Sequence, residues 1–280
     1  MSEISSINAV GSVPMDKSNE DAVGTILDKK YSVLVVADGL GSFQKARESS
    51  RMVVDSVLST RPFDADELDL KKTFTRAQKL LLSQRDEIQG SSDENIFGTT
   101  LICLVETEQK MFLAYAGNGS AWHLRGNFSC TANSDGIPWS ANNLLNPHSF
   151  RHRGREVLYR LLSDDPDVER SRPSVLSIDK DPYYGDIVIL TSDGVDSADQ
   201  QRFGKNQKGT WLRQNEILLQ LYNYIHEWLK STSNFTPSGL EALIMDFLFQ
   251  HQDSFQDHAS IGILITRECI SYYQREHHKK

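Results

Sequence analysis

Cysteine is scarce: Cys103, Cys130 and Cys269 are the only three in 280 residues. They are odd in number and far apart, which argues against a disulfide framework and against a paired-cysteine zinc site. No stretch approaches the roughly 20 consecutive apolar residues that span a bilayer. The opening "MSEISSINAVGSVPMDKSNED" has neither the basic start nor the apolar core of a secretion signal. These absences lead to the expectation of a cytoplasmic protein without a membrane partner. Positive charge is short as well: 30 Lys and Arg stand against 38 Asp and Glu, a formal charge of −8. The one basic concentration is "SFRHRGREVLYR", 149–160. Nucleic-acid binders carry clustered cationic surface, so no nucleic-acid partner is expected. A Gly-rich Walker loop, a nucleophile elbow, His-Glu-x-x-His and Cys-x-x-Cys are all missing too, which leaves the acids to supply any reaction centre.

Apolar residues make up 39% of the chain, enough for a sizeable core. Two apolar runs, 22–27 and 31–38, are separated by "DKK" and read as a hairpin. Helices are predicted over 43–60, with Ala46, Met52, Val53 and Val57 near one face, and over 66–89, with Leu70, Phe74, Ala77, Leu81 and Ile88 at helical spacing. Three more strand-like runs follow at 99–106, 110–117 and 120–125. The middle, 129–181, reads as irregular and flap-like. A strand at 186–193, helices over 211–231 and 238–252, and a last strand at 259–268 complete the pattern. No linker or repeat divides the chain, so one layered domain over 1–280 is expected, its core about 8–266.

Two buried-looking strands end on Asp-Gly, at Asp38-Gly39 and Asp193-Gly194. Asp-Gly is a favoured hairpin turn pair. A two-residue hairpin would require a second strand directly afterwards, however, and neither pair is followed by one. A third acid, Asp257, precedes the final apolar run. Carboxylates at strand ends, with backbone carbonyls, are hard oxygen donors suited to Mg²⁺ and Mn²⁺. Two such ions can clamp a phosphate and activate a water.

Six ordered motifs carry a resemblance across most of the chain: "NEDAVG" (19–24), "VVADGLGS" (35–42), "FGTTLICLV" (97–105), "AYAGNGSAWHLR" (114–125), "YYGDIVILTSDGVDS" (183–197) and "DHASIGIL" (257–264). The sequence resembles the bacterial type 2C, metal-dependent serine/threonine protein phosphatases. That resemblance implies an α+β fold: a four-layer sandwich of two antiparallel β-sheets flanked by helical pairs, with two Mn²⁺ or Mg²⁺ ions at one end. It implies that Asp38 bridges both ions, that Glu20 and the Gly39 carbonyl hold one, and that Asp193 and Asp257 hold the other. Asp21 would hydrogen-bond the activated water, which attacks phosphorus directly without a phosphoenzyme. The partner would be a phosphorylated protein, and the phosphatase a monomer.

The sequence departs from the family pattern at two telling places. Asp16 stands where members carry an arginine that grips the substrate phosphate; Lys17, or a cation among Arg151, Arg153 and Arg155, is the expected substitute. Asn118 replaces an aspartate that helps to hold a weaker third metal, so a third ion is expected to bind poorly. Three readings follow: a protein-serine/threonine phosphatase, which these residues favour; a pseudophosphatase serving as a regulatory binding module; and a small-molecule phosphohydrolase.

Overall fold

The computed structural model describes residues 5–15, 18–60, 66–89, 96–128, 141–153, 155–200 and 216–277. The strand-forming runs assemble into two five-stranded antiparallel sheets. The first has the order β1 (Ile7–Val13), β14 (Ala259–Ile265), β13 (Asp186–Thr191), β7 (Ser120–Arg125) and β8 (Ala141–Asn143). The second has the order β12 (Ser174–Asp179), β6 (Lys110–Ala116), β5 (Leu101–Glu106), β3 (Ser32–Asp38) and β2 (Asp21–Leu27).

The central strands read as unbroken apolar runs because both of their faces are covered. In β3, Leu34 and Val36 point between the sheets and meet Ile102, Leu104, Leu113, Val188, Leu190 and Leu264. Val33, Val35 and Ala37 point the other way, against Val53 and Val57 of α1 (Ala46–Ser59) and Leu70, Phe74 and Leu81 of α2 (Glu67–Gln89). The first sheet is covered in the same manner. Ile187, Ile189, Ile261 and Ile263 pack under α4 (Glu216–Ser231), α5 (Pro237–Gln250) and α6 (Arg267–His277). Period-2 side-chain alternation across two covered faces yields the expected order of helix, sheet, sheet, helix.

Four differences from the sequence reading have physical reasons. The segment 129–181 is not wholly irregular: 174–179 forms β12 on the edge of the second sheet, and 149–158 forms a separate hairpin. As an edge strand with largely exposed side chains, β12 carries little apolar signal. The last strand stops at Ile265, and Arg267 opens α6, a polar helix whose buried side chains are Cys269, Ile270 and Tyr273. The strand expected over 186–193 ends at Thr191, and Asp193 begins α3 (Asp193–Gln200). Ile88, expected on the core face of α2, is 56% exposed. The buried apolar face of α2 runs through Leu70, Phe74, Ala77 and Leu81 and ends there, with Ile88 two turns further on. The first part of the predicted helix over 211–231, together with Trp139 and Cys130, lies outside the described residues.

Leu34 is 1% exposed and reaches across to Gly262 on the facing sheet. Leu34→Ala opens a cavity between the sheets and should cost about 2–5 kcal/mol of stability, measurable by urea denaturation. A loss below about 1 kcal/mol would mean that the inter-sheet layer is not closely packed there.

Candidate active site at the acidic end of the sandwich

The register of two strands creates the centre of the site. β2 pairs with β3 so that Asp21 stands directly opposite Asp38, which puts both carboxyl groups on the inter-sheet face. Asp38 is fixed through its backbone. Its amide donates to Thr100 Oγ1 at 3.0 Å, and its carbonyl accepts from Thr100 N at 2.8 Å and Thr99 Oγ1 at 2.8 Å. The Thr99–Thr100 segment is held in turn by a buried acid the sequence did not reveal. Asp164 accepts from the backbone amides of Ile96 (3.0 Å) and Phe97 (3.3 Å), just ahead of the short strand β4 (Gly98–Thr99).

Gly39 owes its identity to close approach. A Cβ there would lie 2.3 Å from the Ala46 carbonyl oxygen and 2.8 Å from the Glu20 carbonyl oxygen, and the Gly39 amide donates to that Glu20 carbonyl at 3.1 Å. The first carbonyl of α1 and the backbone before β2 therefore close on the turn after Asp38, which holds Glu20 beside it. The Glu20 carboxylate reaches the same turn, with Oε2 3.2 Å from where a Cβ on Gly41 would stand.

The facing sheet supplies the other acids. Asp193 opens α3 directly after β13. Asp257 lies before β14, exposed, and accepts from the His258 amide at 2.8 Å. Gly194 brings the two together: a Cβ there would lie 1.9 Å from the His258 carbonyl oxygen and 3.2 Å from the Asp257 carbonyl carbon. His258 has a positional role, its Nδ1 accepting from the Met15 amide at 2.9 Å. Asn118, in the turn between β6 and β7, donates its amide to Asp193 Oδ2 at 2.7 Å.

These carboxylates disturb one another. Burial raises Asp38 well above the ordinary carboxylate range, and the charges of Asp21, Asp193 and Asp257 raise it further. Asp193 is raised by burial first, then by Asp257, with the Asn118 amide offsetting part and Glu156 adding to the rise. Asp21 is pushed up to about 7, chiefly by burial. The hydroxyls of Ser192 and Ser260 lie near it, but Ser192 Oγ donates to the His258 carbonyl at 3.2 Å and Ser260 Oγ donates to Ser12 Oγ at 2.7 Å. Both Asp21 oxygens are thus buried without a hydrogen-bond partner. A buried carboxylate with nothing donating to it calls for a proton or a cation.

Whether metal fits here can be judged from the donors. They are all oxygens, in the acid-rich setting that hard divalent cations favour, and Asp21 has both oxygens unengaged. Yet among the described residues no three Asp, Glu, His or Cys side chains are grouped tightly enough to hold an ion as they stand. The donor chemistry fits a divalent cation, and the carboxylates would have to close on it. The structure therefore gathers Asp21, Asp38, Asp193 and Asp257 at one end of the sandwich, with Glu20 beside Gly39. Lys17 and Asp16 lie outside the described residues. Trp122 is a core residue, 7% exposed and edge-on to Tyr222.

One further functional residue escaped the sequence reading. His148 donates its backbone N–H to the Gly117 carbonyl at 2.9 Å, and its Nδ1 accepts from the Gly117 amide at 3.3 Å. Its ring stacks on Tyr115 with centroids 4.8 Å apart. Burial, with Arg160 contributing, pushes its pKa down to about 4, so the imidazole is neutral near pH 7 and able to accept. It clamps the turn that carries Asn118. Only a lone histidine in an irregular stretch marked it in the sequence.

The chain has identifiable relatives. A family model described as protein phosphatase 2C matches residues 14–203, a span holding Glu20, Asp21, Asp38, Asn118 and Asp193 but not Asp257. No curated protein is similar enough in sequence to match. Among solved structures, the chain is similar to the serine/threonine phosphatase Stp1 from Staphylococcus aureus, at 15% identity and a TM-score of 0.61, covering 92% of this chain and 94% of that one. It is similar to the Mycobacterium tuberculosis serine/threonine phosphatase PstP/Ppp at 15% identity and a TM-score of 0.60, covering 94% and 99%. It is also similar to PppA, a regulatory component of T6SS in Pseudomonas aeruginosa, at 20% identity and a TM-score of 0.60, covering 94% and 98%. At such identities these likenesses speak for the fold.

The isolated carboxyl of Asp21 has a measurable cost. Its raised pKa makes the folded state hold a proton that the unfolded chain releases near pH 3.8. The resulting destabilisation is absent below that value, grows as pH rises, and is complete above about 7. His148 acts in the opposite sense between about 4 and 6.5, because there the unfolded chain binds the proton. Comparison with Asp21→Asn isolates the acid. In EDTA, Asp21→Asn should raise Tm more at pH 8 than at pH 5. An equal change at both would show that Asp21 is not isolated in the folded protein.

Proposed function

Because the chain belongs to the protein phosphatase 2C family, we propose that it hydrolyses phosphoserine and phosphothreonine in proteins, with two Mn²⁺ or Mg²⁺ ions as cofactors. The observation that carries the reading is the buried, unpartnered carboxyl of Asp21 set opposite Asp38 in register, within reach of the Asp193 charge. Asp38 would bridge the ions; Glu20 and the Gly39 carbonyl would complete one site, Asp193 and Asp257 the other. When bound, such ions polarise the phosphoryl group and make a water nucleophilic at neutral pH.

The remaining chemistry belongs to the chain. Asp21, its carboxyl buried opposite Asp38, would orient the attacking water through a hydrogen bond. The new bond forms from that water oxygen to phosphorus. The bond from phosphorus to the serine or threonine oxygen breaks, the attacking water gives up its proton to solvent, and the departing alkoxide takes one from solvent to leave as the alcohol. Thr99 and Thr100 hold the Asp38 backbone still while the carboxylate works. Asn118 fixes one Asp193 oxygen with a neutral amide, which occupies the oxygen a third cation would otherwise approach. The family fold supports phosphoprotein as the substrate class, and the acid cluster supports a metal-dependent route.

Turnover of a phosphothreonine peptide should require Mn²⁺ or Mg²⁺ and vanish in EDTA. Asp38→Asn and Asp193→Asn should each remove most of it without unfolding the protein, since the three apolar layers do not pass through the site. Wild-type rates in Asp38→Asn would overturn the assignment, and an inactive wild type with Mn²⁺ bound would favour a regulatory binding module. A small phosphoester turned over in preference to phosphopeptide would favour a small-molecule phosphohydrolase.

Isothermal titration with Mn²⁺ gives a separate check. Asn118→Asp places a carboxylate against Asp193 in place of the amide and should add or strengthen a weak additional site. Unchanged stoichiometry and affinity would mean that position 118 does not govern cation binding.

A further inference from the structure

Position 16 offers an acid where a phosphate-gripping cation is expected, and the site itself is strongly acidic. The β9 (Ser149–His152) and β10 (Arg155–Leu158) hairpin carries a concentration of positive charge. It forms a two-stranded sheet of its own. Its base is tied to the site: His148, just before β9, is bonded both ways to Gly117, and the Tyr159 amide, just after β10, donates to the His148 carbonyl at 2.9 Å. Gly117 precedes Asn118, the residue bonded to Asp193.

Strand alternation then sorts the three arginines. The register pairs Ser149 with Leu158, Phe150 with Val157, Arg151 with Glu156, and His152 with Arg155. Side chains directly opposite share a face, and faces alternate along the strand. Arg151 and Glu156 therefore lie on one face of the ribbon, and Phe150, Val157, His152 and Arg155 on the other. Ser149 and Leu158, which share the Arg151 and Glu156 face, are half-buried, whereas Phe150, Val157, His152 and Arg155 are all exposed, so the Arg151 and Glu156 face is the one turned toward the body of the protein. Arg155 is on the far face. Arg153 sits in the turn, with a left-handed φ of 50°. Arg151 is exposed and forms no ion pair among the described residues.

We propose that Arg151, presented by the β9–β10 hairpin over the acid cluster, is the side chain that grips the phosphoryl group of the substrate, and that Arg153 and Arg155 are not. This rests on the phosphatase reading given above. A guanidinium offers two parallel N–H donors that match two phosphate oxygens. Here it comes from a ribbon hinged beside the site rather than from the strand that leads into β2. The opposing Glu156 leaves Arg151 the sole cation on the inward face of the hairpin.

The test is steady-state kinetics with Mn²⁺ on two substrates, p-nitrophenyl phosphate and a phosphothreonine peptide, together with titration of inorganic phosphate onto the Mn²⁺-loaded protein. Arg151→Ala should lower kcat/KM on both substrates by about tenfold to a hundredfold, the worth of one charge-assisted contact. It should weaken phosphate binding by a similar factor. Arg151→Lys should recover part of each, and Arg153→Ala and Arg155→Ala should stay within about twofold of wild type. Arg151→Ala within about twofold on both substrates would overturn the proposal, as would an equal loss in Arg155→Ala or a loss in Lys17→Ala alone. A loss on the peptide only would overturn it too, because the contact would then be to the peptide and not to the phosphoryl group. Should the wild type turn over neither substrate, the phosphatase reading fails on that result, and phosphate binding still decides for Arg151: equal or undetectable affinity in wild type and Arg151→Ala counts against it.

Discussion

Like charges resist being gathered, and the register between β2 and β3 gathers two of them. Once Asp21 is locked opposite Asp38, neither carboxyl can retreat without breaking a seven-residue ladder whose strands anchor a fully packed sheet. The other sheet repeats the imposition with Asp193 at a helix start and Asp257 in the loop against it. The apolar layers hold the two sheets together and therefore hold the acids together. The hydrophobic core is in this sense the source of the electrostatic strain at one end of the molecule, and that strain makes the end receptive to cations.

Around the acids, neutral groups do most of the holding. Threonine hydroxyls and amides fix the Asp38 backbone, an asparagine amide holds Asp193, and a neutral histidine secures the turn bearing that asparagine. None of these supports adds positive charge that would compete with a metal. The charged support sits further back, where the Asp164 carboxylate is satisfied by two backbone amides. Ion pairs elsewhere serve the scaffold: Asp186 engages His123 and Arg125, and Lys180 bridges Glu106 and Glu268.

The central strands were legible in the sequence because burial on both faces leaves no polar interruption, as in 33–37 and 187–190. The acids were legible because each closes such a run or immediately precedes one. What escaped was held by few apolar contacts or by none. α6 buries only three side chains fully, and β12 lies at an edge with half its positions open to solvent. The roles of His148 and Asp164 depend on backbone partners 31 and 67 or more residues away in sequence, a pairing that no local pattern encodes. Ile88 misled for the opposite reason: helical periodicity continues after the buried face of the helix has ended at Leu81.

The β9–β10 ribbon shares no sheet with the body and is fastened at its root through one histidine and the turn it clamps. Residues beyond that root can change in number, charge or bulk without shifting a layer of the sandwich. The outward Phe150–Val157 pair, both members exposed, is already a surface with no part in holding the fold. The outward face of the ribbon can in this way change from one descendant of the chain to the next while the acid cluster stays as it is, with His148 marking the border between the ribbon and the body.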